Sequence, residues 1–159
     1  MPTELERATE ARDHRMSFLL WRRQWDEFVP SVSLSWEEYQ FVETEIPRIP
    51  EYRGIYAFCI KPVLATNLST SYLIYIGETT RPMRERYREY LRERQDPLGR
   101  ARVYAFFNKY QAHISFFCSP LPSGVSTRKV ESELLAAYTP PLNSKFPASI
   151  ARVVKMAEV

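Results

Sequence analysis

The chain of 159 residues holds two cysteines and two histidines, and its net charge is only +3. It has no apolar run approaching the ~20 residues that a membrane helix needs. Cys59 and Cys118 both fall in apolar stretches, where a free thiol behaves as a small buried hydrophobe. With only His14 and His113 to join them, no Cys/His cluster has zinc spacing, so a structural zinc site is set aside. The N-terminus is charged and lacks the apolar core of a secretory signal, so Asn67-Leu68-Ser69 reads as a formal glycosylation sequon only and the expected location is cytoplasmic. A mild net charge names no partner, and no internal repeat or low-complexity segment is visible.

What is present points to a folded protein. Hydrophobic residues make up 45% of the chain and aromatics 14%, enough apolar surface to offset the entropy of ordering. The length suits one well-buried core with an appendage. We divide the chain into an N-terminal helical extension (1–48), a main domain (49–146) and a loosely held tail (147–159). The fold class expected is α+β, with a small three-stranded antiparallel sheet flanked by helices.

Gly54 to Ile60 and Tyr72 to Gly77 are the best strand candidates, both apolar and rich in aromatics. Lys61 to Ser71, with its proline, asparagine and hydroxyl residues, joins them as the long tip of a hairpin. Side chains alternate along a strand, so Ile55 and Tyr56 cannot share a face, nor can Tyr75 and Ile76; one outcome is two tyrosines on one side of the sheet. His113 to Cys118 reads as the third strand. Met16, Leu20, Trp21, Trp25 and Phe28 recur at helical spacing over residues 4–29 until Pro30, and this stripe is expected to pack on the main domain. Residues 33–43 suit either state, and the Ser35/Glu38 capping box tips the reading to a short helix.

Pro82 opens a helix running to about Arg94, with Met83, Tyr87, Tyr90 and Leu91 on one stripe and Arg84, Arg88 and Arg92 opposite. Arg86 lies one turn before Tyr90, at the edge of that stripe. Arginines outnumber acids from Arg81 to Arg100, in line with phosphate contact; Arg81, Arg84, Arg88 and Arg92 are the candidate nucleic-acid contacts. After Pro97 and Gly99, a second amphipathic segment buries Val103, Phe106, Phe107 and Tyr110. A last helix, capped by Ser126 or Thr127, reaches about Tyr138 and carries Glu131 and Glu133.

The triplets Gly54-Ile55-Tyr56 and Tyr75-Ile76-Gly77, followed by this basic helix, resemble the GIY-YIG nuclease family over about residues 50–145. The resemblance implies a catalytic arginine at Arg86, with Arg84 as the alternative because one residue is inserted ahead of the helix. It also implies a tyrosine one turn later at Tyr90, a metal-binding glutamate at Glu131, and an asparagine at Asn143 after Pro140. Tyr56 and Tyr75 would activate and orient water jointly.

The implied activity is divalent-metal-dependent DNA endonuclease, with Mg²⁺ or Mn²⁺ as cofactor and DNA as partner. Such residue types suit the chemistry. One carboxylate serves Mg²⁺, which keeps waters and takes a phosphate oxygen, and an arginine fork can span two phosphate oxygens. The rival readings are a non-cleaving nucleic-acid-binding module, or an interaction subunit whose aromatic N-terminal helix docks a repair, mobile-element or defence assembly.

Overall fold

The computed structural model describes residues 1–62 and 68–158. The tip of the expected hairpin and Asn67 of the sequon lie outside the described residues. The described strands are β1 (Glu37–Gln40), β2 (Gly54–Ile60), β3 (Tyr72–Thr79) and β4 (Ile114–Pro120). They form one antiparallel sheet in the order β1-β4-β2-β3.

This is a four-stranded α+β sheet in place of the three strands expected, because the short helix read over 33–43 is strand β1. Glu37 to Gln40 pair with Cys118 to Ser115 of β4, which would otherwise leave a row of unpaired backbone groups at the sheet edge. Tyr39 and Phe41 point inward, and Phe41 packs 4.6 Å from Phe107 and 5.2 Å from Phe58, ring centroid to centroid. Ser35 caps no helix; its backbone N–H donates to Ser119 Oγ at 2.9 Å.

Both faces of the sheet are covered. On one, α3 (Met83–Glu93) and α4 (Ala101–Lys109) close over Tyr56, Phe58 and Phe116. On the other, α5 (Thr127–Tyr138) packs against Ile55, Ala57 and Ile76 together with Phe28, Val32 and Leu34. Central strand β2 is therefore buried at every position, so neighbours Ile55 and Tyr56 both lie inward, each on its own side.

The N-terminal extension departs from the single helix expected over 4–29. It forms α1 (Glu4–Asp13), closed by a Thr3/Glu6 capping box, and the short α2 (Arg22–Glu27), with non-helical chain between. Tertiary bonds hold that break: Lys109 Nζ donates to the Asp13 carbonyl at 2.6 Å, and Thr139 Oγ1 to the Leu19 carbonyl at 3.2 Å. Met16 and Phe28 pack against the sheet's two cores, whereas Leu20 and Trp25 stay exposed. The segment expected as a loose tail is helix α6 (Ala148–Ala157), anchored by buried Ile150 and Val154. Those residues are four apart, one stripe of a helix.

Candidate active site

The two triplets interlock through their glycines. Tyr56 sits opposite Gly77, and a Cβ at Gly77 would fall 2.4 Å from the Tyr56 hydroxyl. Only glycine lets the ring cross that strand. Gly54 is equally constrained, since its Cβ would meet the Ser119 carbonyl oxygen at 2.0 Å. Tyr75, paired with Phe58, faces the same side as Tyr56, with ring centroids 6.3 Å apart.

Helix α3 delivers two more groups to these rings. Its first turn is fixed by Met83 and Arg84 N–H groups donating to the Tyr52 and Pro50 carbonyls at 2.9 and 3.0 Å. Arg86 then donates from Nε to the Tyr56 hydroxyl (3.0 Å), from Nη2 to the Tyr90 hydroxyl (3.2 Å) and from Nη1 to Glu89 (2.7 Å). The Tyr56 and Tyr90 hydroxyls share a 2.9 Å hydrogen bond. Arg84 points elsewhere, donating to the Ile49 and Pro47 carbonyls and to Glu51. Of the two arginines, Arg86 is thus the one on the tyrosines.

Asn143 lies along the outer edge of β3. Its Oδ1 accepts from Ile76 N–H at 3.0 Å and its Nδ2 donates to the Ile76 carbonyl at 2.9 Å, while Leu142 N–H donates to the Ile74 carbonyl. The side chain fixes the strand between Tyr75 and Gly77 by hydrogen bonding alone.

Glu131 is half-buried on α5 and makes no hydrogen bond or ion pair among the described residues. Burial pushes its carboxyl up to about 7; the like charge of Glu78 adds to this and Arg128 partly offsets it. Glu78 itself accepts a 2.6 Å bond from Thr127 Oγ1, one turn before Glu131. Glu133 faces away and accepts from the Ser31 N–H and hydroxyl. Among the described residues no group of three or more His, Cys, Asp or Glu side chains could hold a metal ion. An unpaired carboxylate beside a second one nevertheless fits Mg²⁺, which takes one or two carboxylates and fills the rest of its shell with water and phosphate oxygens.

Tyr75, Glu131 and Asn143 line one cleft of about 650 Å³, and Arg100, Arg102 and Lys145 line it with them. Tyr56, Arg86 and Tyr90 stand behind Tyr75. Burial, reinforced by neighbouring Tyr90 and Tyr75, holds Tyr56 un-ionised well above pH 10. Burial also raises Tyr75. A second groove, on the opposite sheet face between Phe28, Leu34 and Leu134, is lined among the described residues by no Asp, Glu, Lys, Arg or His side chain.

The candidate DNA contacts on α3 divide. Arg81 pairs with Glu89 at 2.6 Å, Arg84 is tied to backbone carbonyls, and exposed Arg88 and Arg92 line a depression with Glu43 and Ile46, away from Glu131. Of the cleft's own cations, Arg100 closes the arginine-rich stretch that the sequence pointed to without being singled out in it, whereas Arg102 and Lys145 carried no sequence signal. Arg100 follows the Pro97/Gly99 break, where helical spacing gives no register, and it lies over the Tyr90 ring at 5.4 Å while binding Glu93. Glu78 had a legible signal, being a carboxylate directly after Gly77 in a strand. Comparison with family models, curated proteins and solved structures gives no match.

Proposed function

We propose that the protein is a divalent-metal-dependent DNA endonuclease of the GIY-YIG kind. One observation carries this reading: six polar residues spread from Tyr56 to Asn143 converge, three interlocked at 2.9–3.2 Å and the other three lining one cationic cleft beside them. A structural network alone gives no reason for Glu131 to stay half-buried and unpaired, because an uncompensated carboxylate there costs stability.

Arg100, Arg102 and Lys145 bind the backbone phosphates and bring the scissile group to Tyr75 and Glu131. Exposed Arg88 and Arg92, with Arg81, extend the positive surface to flanking phosphates. Glu131, with Glu78 behind it, would hold Mg²⁺ or Mn²⁺, and when bound the ion supplies positive charge against the phosphoryl oxygens. Arg86 is locked by Glu89 and the two hydroxyls, so its charge acts without reorganising. Tyr75 reaches the cleft and orients the attacking water. Tyr56 and Tyr90 act as neutral hydrogen-bonding partners that fix Arg86, since a phenolate at Tyr56 is disfavoured by its burial.

Purified protein incubated with plasmid, branched and single-stranded DNAs in Mg²⁺, Mn²⁺ or EDTA tests the reading. Cleavage of at least one DNA with metal and none with EDTA is expected. Binding without cleavage in every metal would favour the binding module instead.

A further inference from the structure

The cleft continues past Asn143. Arg102, Leu142 and Asn143 also line an adjoining cleft of about 540 Å³ whose opposite wall is the non-helical stretch Arg15 to Leu19. Met16 and Phe18 in turn line a third, of about 370 Å³, with Tyr72 and Tyr110. The break between α1 and α2 thus lays one side of a depression that leads from Glu131 to Tyr72.

Its two ends differ in chemistry. Near Glu131 it is cationic. At the far end Phe18 and Tyr72 are 39% and 45% exposed, with ring centroids 5.9 Å apart and planes 36° from parallel. Tyr72 and Tyr75 are three apart and would normally point to opposite sides of the sheet. A bulge corrects this: Tyr75 pairs with Phe58, Leu73 with Cys59 and Tyr72 with Ile60, so Ile74 is the extra residue. Both tyrosines therefore face the side occupied by Phe58 and Ile60. Exposed Arg15 and Arg102 flank the middle of the depression, and among the described residues Glu158 is the one carboxylate lining that part of it.

Neighbouring exposed rings beside a cationic wall suit a strand of nucleic acid whose bases are free. A duplex offers only base edges in its grooves, whereas an unpaired base offers a face on which an aromatic ring can stack. We propose that this depression takes an unpaired DNA strand, with a base stacked on Phe18 and Tyr72 and phosphates along Arg15 and Arg102. The preferred substrate then carries a single-stranded segment next to the scissile phosphate. This rests on the nuclease reading for the position of the scissile group.

Glu131→Gln protein in EDTA, where no cleavage is expected, is titrated with a fluorescein-labelled oligothymidine and with a blunt duplex of equal length. Phe18→Ala and Tyr72→Ala are then added singly. Each should weaken oligothymidine binding roughly tenfold and leave duplex binding unchanged, and Phe18→Trp should restore the single-strand affinity. Equal losses on both probes, or no loss on oligothymidine, overturn the proposal. Wild-type cleavage in Mg²⁺ separates the two ideas. DNA cut without the single-strand effect sinks the track and spares the nuclease, whereas the single-strand effect without any cutting does the reverse.

Discussion

Gly77 makes room for Tyr56: a Cβ on the glycine would lie 2.4 Å from the tyrosine's ring carbon and hydroxyl oxygen. Gly77→Ala should therefore push the ring off Arg86 and Tyr90. Overpacking of this kind costs about 1–3 kcal/mol, measurable by urea denaturation, and the substitution should also abolish cleavage. Unchanged stability would mean that the strands yield and the glycine is dispensable.

Arg86 and Arg84 are predicted to fail in different ways. Arg86→Lys keeps the charge but cannot reach Tyr56, Tyr90 and Glu89 together, so turnover should fall on the order of 100-fold with DNA binding retained. Arg84→Ala removes the bonds to the Ile49 and Pro47 carbonyls and should lower stability by about 1–3 kcal/mol with little change per folded molecule. Parallel melting curves and initial rates distinguish them, and the reverse assignment would move the catalytic arginine to Arg84.

The fold was legible where periodicity and local chemistry agreed. Both strands of the hairpin, α3 and α5 follow from aromatic runs, Pro82 and the Ser126 cap, whose side chain accepts from Lys129 N–H. Strand β1 was legible only as the alternative to a short helix, because Glu37-Glu38-Tyr39-Gln40 is a strand only while β4 offers an edge. The interruption after Asp13 depends likewise on Lys109 and Thr139, about a hundred residues away in sequence. At the site, Tyr56, Tyr75, Arg86, Tyr90 and Glu131 sit on regular elements and could be counted into register, whereas Arg100 and Lys145 lie outside them and Arg102, in the first turn of α4, meets them only through the packing of that helix against the sheet.

Glu131 gives the chain a definite pH response. Its carboxyl titrates near 7 in the folded protein against about 4.3 when exposed, so the folded state holds the extra proton and stability falls as pH rises from about 4 to 7. Glu131→Gln should consequently melt higher than wild type at pH 8 and no differently at pH 4. Mg²⁺ should raise the melting temperature of wild type at pH 8 but not that of the variant. Cleavage should increase through pH 7 and then level off between pH 8 and 10, because Tyr56 stays neutral. A continued tenfold rise per pH unit in that range would instead mark a phenolate base.

The cationic groups lining the Glu131 cleft are expected to dominate phosphate binding. Arg102→Ala with Lys145→Ala should reduce the slope of log affinity against log salt by about 0.9 for each duplex phosphate that the protein no longer neutralises. Arg88→Ala should change it less. Equal effects would place the DNA across α3 and away from the cleft.

Glu131→Gln tests the central claim most directly, since it removes one charge and keeps the helix and the side-chain shape. With Mg²⁺ and a DNA that wild type cuts, the variant should lose cleavage by orders of magnitude while binding that DNA as tightly or more so, a repulsive carboxylate having gone. A variant that cuts at the wild-type rate would contradict the assignment of Glu131, and with it the reading of this cleft as a metal-dependent nuclease site.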